Sequence, residues 1–186
     1  MQFRRNYKKI LFSLIYISVS IIIFSTRFAF SQTEDFLNFG YKNGLPGKTI
    51  YCIYLDSKGF IWVGTDAGVA RFDGVTFEVF NAEDGISDFD VIKIFEDSKN
   101  RIWFFTLNGK ADIFYNGKIY NHNNSEMLTK LQANSTCNSF LEDANNNIYF
   151  GTYLGEIFKL SDQDVPEKIY LETFSESISK GRVCLA

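Results

Sequence analysis

Beyond residue 31 the chain is built of short apolar runs separated by polar turns, and no run keeps the three-to-four spacing of an amphipathic helix. Phe60-Ile61-Trp62-Val63-Gly64-Thr65 is apolar at adjacent positions, as expected of a strand covered on both faces. Further strands are predicted over Val69–Phe72, Thr76–Phe80, Lys110–Tyr115, Lys118–Tyr120, Glu156–Leu160 and Lys168–Leu171. Asp73-Gly74 and Asn116-Gly117 stand just ahead of two of these, in the context of tight hairpin turns. Aromatic residues make up 17% of the chain and Pro counts only 2, which agrees with strands and turns. The reading is all-β.

The turns and strands are copies of one another. Asp56 to Gly68, Asp97 to Gly109 and Asp143 to Gly155 align without gaps, starting 41 and then 46 residues apart. Four slots are filled alike in all three: Asp56/Asp97/Asp143, Ile61/Ile102/Ile148, Thr65/Thr106/Thr152 and Gly68/Gly109/Gly155. An aromatic slot holds Trp62, Trp103 and Tyr149. An aspartate opening a tight turn accepts a hydrogen bond from the N–H two residues on. Three residues later Gly59, Asn100 and Asn146 are the residue types that best tolerate positive φ. Matched strands also precede each Asp, with Ile50/Val91/Cys137 and Ile53/Ile94/Phe140 at equal offsets. Four short antiparallel strands in 40–45 residues have the dimensions of a β-propeller blade.

The blades are expected over residues 41–80, 81–122 and 123–173, with 174–186 the start of a fourth. Phe36-Leu37-Asn38-Phe39 stands 41 residues before Phe77-Glu78-Val79-Phe80, so residues 32–40 read as an orphan strand that would complete the last blade. Propellers close with roughly four to eight blades. Three blades therefore predict an incomplete β-propeller and a truncated piece of a larger protein, whose missing blades are its first partners.

Charge places the chain. Arg4, Arg5, Lys8 and Lys9 precede the 15-residue, largely apolar stretch Ile10–Phe24, and small residues follow at Ala29 and Ser31. Residues 1–31 read as a secretory signal peptide cleaved after Ser31. They hold five of the 19 basic residues and none of the 22 acidic ones, leaving 14 against 22 and a net charge of −8. Such a surface repels phosphate backbones, so nucleic acid is not an expected partner. Cys52, Cys137 and Cys184 have no metal-like spacing. Cys137 falls in the slot of Ile50 and Val91 and reads as a small buried hydrophobe.

The segment NGLPGKTIYCIYLDSKGFIWVGTDAGVARFDG, Asn43 to Gly74, closely resembles the two-component regulator propeller repeat. Blade one matches nearly throughout, including Gly64. Blade two has Phe105 where that repeat prefers Gly, and blade three has Tyr149 for Trp. The resemblance implies the first blades of a periplasmic, ligand-sensing ectodomain of a Bacteroidetes-type sensor histidine kinase. It also implies a membrane span and kinase downstream, a small ligand such as a glycan fragment, and membrane contact only through the signal peptide or that span. None of the kinase parts stands in this chain.

No catalytic, metal or cofactor site is expected. His122 lies in a polar loop, and proton transfer needs partners placed around it. Trp62 and Trp103 read as structural wedges between blades rather than as ligand platforms. DSKG, DSKN and DANN supply too few carboxylates for a calcium cage. The alternatives are an exported scaffold for protein partners or, since streptogramin-lyase-like propellers carry related blade motifs, an enzyme needing a His and a metal.

Overall fold

The computed structural model describes residues 12–20 and 37–169, in two units divided after Asn38. In the first unit residues 12–20 form helix α1, with exposed side chains such as Phe12 and Tyr16. No helix among the described residues is long and apolar enough to cross a membrane. The rest of the expected signal peptide lies outside the described residues.

The second unit holds three four-stranded antiparallel sheets, each in chain order. Sheet one comprises β1 (Ile50–Leu55), β2 (Ile61–Thr65), β3 (Gly68–Phe72) and β4 (Phe77–Phe80). Sheet two comprises β5 (Val91–Glu96), β6 (Ile102–Thr106), β7 (Ala111–Tyr115) and β8 (Lys118–Tyr120). Sheet three comprises β9 (Cys137–Glu142), β10 (Ile148–Thr152), β11 (Ile157–Leu160) and β12 (Pro166–Ile169). These are the blades of an incomplete β-propeller. Pro166 opens the edge strand, the place where a missing N–H disturbs no ladder.

Strand β6 shows why the apolar runs are unbroken. Ile102 and Phe104 pack with Trp62, Val69 and Phe80 of sheet one. Trp103 and Phe105 point the other way, towards Cys137, Ile148, Phe150 and Phe158 of sheet three. All four are buried, at roughly 1.5–3 kcal/mol for each large side chain. A middle sheet with a neighbour on both faces leaves no strand position for a polar residue without a partner.

Gly64 and Phe105 occupy one slot and set different spacings. A Cβ on Gly64 would stand 2.4 Å from the Val91 carbonyl, so glycine lets β2 approach β5. At the next boundary Phe105 fills the gap, 5.5 Å from the Phe150 ring and 5.9 Å from that of Phe140.

Two local features lie outside the regular blade pattern. Residues 37–40, part of the predicted orphan strand 32–40, are irregular, and a 3-10 turn follows over Tyr41–Asn43. A lone extended segment without a ladder partner gains no backbone bonds. Phe39 instead packs its ring 5.0 Å from Phe72 and 5.6 Å from Phe77. Residues 32–36, and residues 174–186 where a fourth blade was expected to begin, lie outside the described residues. The second is a short helix beyond residue 31: α2, Glu126–Lys130. At one turn it is too short to show a period. It forms because Ser125 accepts from the Leu128 N–H, Glu126 pairs with Lys130, and Leu128 and Leu131 are buried.

Candidate functional site

The repeat residues meet at the turn that opens each copy. Asp56 Oδ1 accepts from the N–H groups of Lys58 and Phe60, and Asp97 Oδ1 from those of Lys99 and Arg101. Asp143 Oδ1 does the same for Asn145 and Asn147. Gly59, Asn100 and Asn146 have φ of 88°, 59° and 60°, the left-handed conformation that closes this turn. The second carboxylate oxygen reaches the aromatic slot. Trp62 Nε1 donates to Asp56 Oδ2 and Trp103 Nε1 to Asp97 Oδ2, both at 2.7 Å, and the Tyr149 hydroxyl lies 3.3 Å from Asp143 Oδ2. One aspartate thus shapes the turn and fixes the ring. The repeated threonines close the second turn: Thr65 Oγ1 donates to the Gly68 carbonyl, Thr106 Oγ1 lies 3.0 Å from the Lys110 carbonyl, and Thr152 Oγ1 accepts from the Glu156 N–H. Gly68, Gly109 and Gly155 there have φ of 105°, 85° and 79°.

A cation lies over each of these rings. Arg71 sits 5.5 Å from Trp62, Arg101 5.3 Å from Trp103, and Lys159 5.8 Å from Tyr149. Arg71 and Lys159 are cross-strand partners of their rings, whereas Ile113 takes that position beside Trp103. Arg101 reaches the ring from two residues upstream, where the other copies have Phe60 and Asn147.

Neighbouring sheets are clasped by a pair that repeats with them. The Ser57 N–H and hydroxyl donate to the two oxygens of Glu96 at 2.6 and 2.7 Å. Ser98 binds Glu142 in the same way at 2.9 and 2.6 Å. Each serine follows the turn aspartate of one sheet, and each glutamate ends the first strand of the next. In the third copy the serine slot holds Ala144, and in the first the glutamate slot holds Leu55.

Two clefts open at these boundaries. One of about 210 Å³ is lined by Phe60, Trp62, Phe114, Lys58 and Arg71, whose guanidinium also pairs with Glu78. Another of about 300 Å³ is lined by Arg101, Tyr115, Tyr120, Met127 and Asp164. Arg101 donates to Asp97 and Asp164, while its buried Nη2 has no partner among the described residues. Aromatic rings, hydroxyls and a cation make either cleft able to hold a small polar molecule.

His122 is half-buried, with Nδ1 3.2 Å from Ser87 Oγ, which lies 2.5 Å from Asp112 Oδ1. Burial and Lys110 hold the imidazole below its ordinary pKa. The carboxylate holds the serine rather than the histidine, so the order differs from a nucleophile triad, in which the acid orients the imidazole. Cys52 and Cys137 are free thiols, and burial pushes each up to about 11. Cys137 is buried in the core between sheets two and three. Cys184 lies outside the described residues.

Residues 44–67, which span the first copy's opening turn and its first two strands, match the model of the two component regulator propeller family. Two similar solved structures are extracellular domains from B. thetaiotaomicron. The domain of BT3049, assigned to a hybrid two component system, is 24% identical with a TM-score of 0.53 over 67% of this chain and 17% of its own. The domain of BT4673, assigned to a one component system, is 24% identical with a TM-score of 0.59 over 77% of this chain and 19% of its own. Virginiamycin B lyase from Staphylococcus aureus is similar at 15% identity and a TM-score of 0.51, over 69% of this chain and 44% of its own. These likenesses show the propeller fold, and the chain spans less than a fifth of the two extracellular domains. No curated protein matches.

Proposed function

We propose that this chain is the sensor-type propeller segment of an exported, periplasmic ectodomain, and that its parent is a ligand-sensing histidine kinase of a two-component system. The observation that carries the reading is the family match over residues 44–67, whose turn and strand chemistry recurs in the next two sheets and whose clasp serine recurs in the next one. The likeness to extracellular domains assigned to signalling systems supports it. So do the basic start and apolar stretch of residues 1–31. The role assigned to the segment is binding and not catalysis, with the inter-sheet clefts as the places where a small ligand could wedge between blades and alter their packing.

Two measurements test this. A C-terminal fusion to alkaline phosphatase, which is active only beyond the inner membrane, should be active and should lose activity without residues 1–31. The complete reading frame of the gene should encode further blades, a membrane span and a kinase. A cytoplasmic fusion, or a frame ending at a closed propeller with no span, overturns the proposal.

A further inference from the structure

Asp112 is wholly buried, yet its slot does not call for a charge. Ladder pairing places it opposite Phe104, where sheet one has Ala70 opposite Val63 and sheet three has Phe158 opposite Phe150. All three residues are buried, at 0%, 0% and 2% exposure, and two of them are apolar. A buried carboxyl at a position that the fold fills elsewhere with Ala or Phe is a departure from the scaffold, not a requirement of it.

Its partners point the same way. Asp112 Oδ2 accepts from the Ser87 N–H at 2.7 Å, and Oδ1 lies 2.5 Å from the Ser87 hydroxyl. No cation is within ion-pair distance of it among the described residues. Ser87 sits in the connector from β4 to β5, where the equivalent residue before sheet one is Pro46. That connector joins sheets one and two: its Phe89 carbonyl accepts from the Gly68 N–H, its Asp90 carbonyl from the Leu107 N–H, and the Asp90 side chain from the Tyr51 hydroxyl. The outer end of the chain of contacts is His122, half-buried, against the Ser87 hydroxyl. The other charges around Asp112 are Lys110, on the turn before β7, and Asp88, beside Ser87.

We propose that His122 and Ser87 form a proton relay to Asp112, and that the proton delivered there locks the β4–β5 connector onto sheet two. With Asp112 ionised, the Ser87 hydroxyl donates to the carboxylate and His122 Nδ1–H donates to Ser87 Oγ. A solvent proton taken at His122 Nε2 shifts the chain: Nδ1–H passes to Ser87 and the serine proton to Asp112. Asp112 then donates to Ser87 Oγ, Ser87 donates to Nδ1, and one proton has been bound. A side chain with no exposure thereby reaches solvent through one that has it.

The direction follows from linkage. Burial raises the Asp112 pKa from 3.8 to about 6, against the lowering effect of Ser87 and Lys110. The closed connector therefore binds the proton more tightly than an open, hydrated one. Its advantage is complete below about 3.8 and is lost as pH rises through about 6. Between pH 7.5 and 5 the closed-to-open ratio should rise about tenfold. The inference stands whether or not the chain senses a ligand.

His122 is the single histidine, so the imidazole ¹⁵N spectrum of the full chain reports one residue. The expected result is a change from the Nδ1–H to the Nε2–H tautomer with a midpoint near pH 6, absent in Asp112→Asn. The Ser87 amide, corrected for intrinsic exchange, should become about tenfold better protected from pH 7.5 to 5, and Asp112→Ala should flatten that rise. Asp112→Ala carries the residue sheet one uses, and Ser87→Ala, which cuts the relay but keeps the carboxyl, should lose the tautomer change as well. A tautomer that ignores pH or Asp112→Asn overturns the relay. Ser87 protection that is flat in the parent, or rises equally in Asp112→Ala, overturns the lock.

Discussion

Ser57 of sheet one and Glu96 of sheet two meet through two parallel bonds, N–H to Oε2 and hydroxyl to Oε1, and the pair recurs one sheet later as Ser98 and Glu142. The contact is charge-assisted but lies at the surface, where solvent weakens it. Buried rings on β6 therefore supply most of the cohesion between sheets, and the clasps set which residues face each other.

A double-mutant cycle of Ser57→Ala and Glu96→Gln measures that contribution. Each single change should destabilise the fold by about 1 kcal/mol, with a coupling near the same size. Denaturant midpoints give both. Additive effects would show that the two residues do not act as a pair.

Removing Asp97 should be far more damaging. Its carboxylate holds two turn N–H groups, the Trp103 indole and Arg101, so Asp97→Ala leaves the Trp103 indole N–H and the buried Arg101 Nε without partners and Asp164 as the remaining acid on that guanidinium. A loss of about 3–5 kcal/mol is expected. Trp103→Phe, which keeps the ring and removes one donor, should cost about 1–2 kcal/mol. Equal losses in the two variants would contradict the role given to the aspartate.

Gly64→Ala and Gly59→Ala separate close approach from backbone strain. A Cβ at Gly64 would meet the Val91 carbonyl at 2.4 Å and Cys52 Sγ at 2.7 Å. One at Gly59 meets nothing within 4 Å, but the residue has φ of 88°. Thermal unfolding should show a loss of about 2–3 kcal/mol for the first and about 1 kcal/mol for the second. The reverse order would mean that sheets one and two are not as close as described.

The thiols should be sluggish. With both near 11, about one in a thousand is a thiolate at pH 8. In a Cys184→Ser chain, Cys52 and Cys137 should react slowly with a disulfide reagent when folded and at once in guanidinium. Rapid labelling of the folded chain would count against their burial.

Much of this was legible in the residues. Asp, Thr and Gly at fixed spacing, with Gly or Asn three places after the aspartate, specify the turns, and unbroken apolar runs specify strands covered twice. The second duty of Asp56 and Asp97, holding the indole, was not read, although Asp and Trp keep a six-residue spacing in both copies. The clasp also left a trace. Ser follows the aspartate in copies one and two, and Glu precedes it in copies two and three, the offset expected of residues that reach from one copy to the next. Asp112 was hidden for a different reason. The turn between β2 and β3 is one residue shorter than its counterpart in sheet two, so an ungapped alignment sets Asp112 against Arg71 when the ladder sets it against Ala70.

Because the hydroxyl stands on one flank of a sheet and the carboxylate on the other, the stack has a sense of direction. Two like flanks brought together by a two-fold axis would match serine with serine or acid with acid, and gain nothing. Head-to-tail addition alone reuses the same bonds. Among the described sheets the two outer flanks carry Leu55 and Ala144 in these places, so the full two-bond handshake is not on offer there.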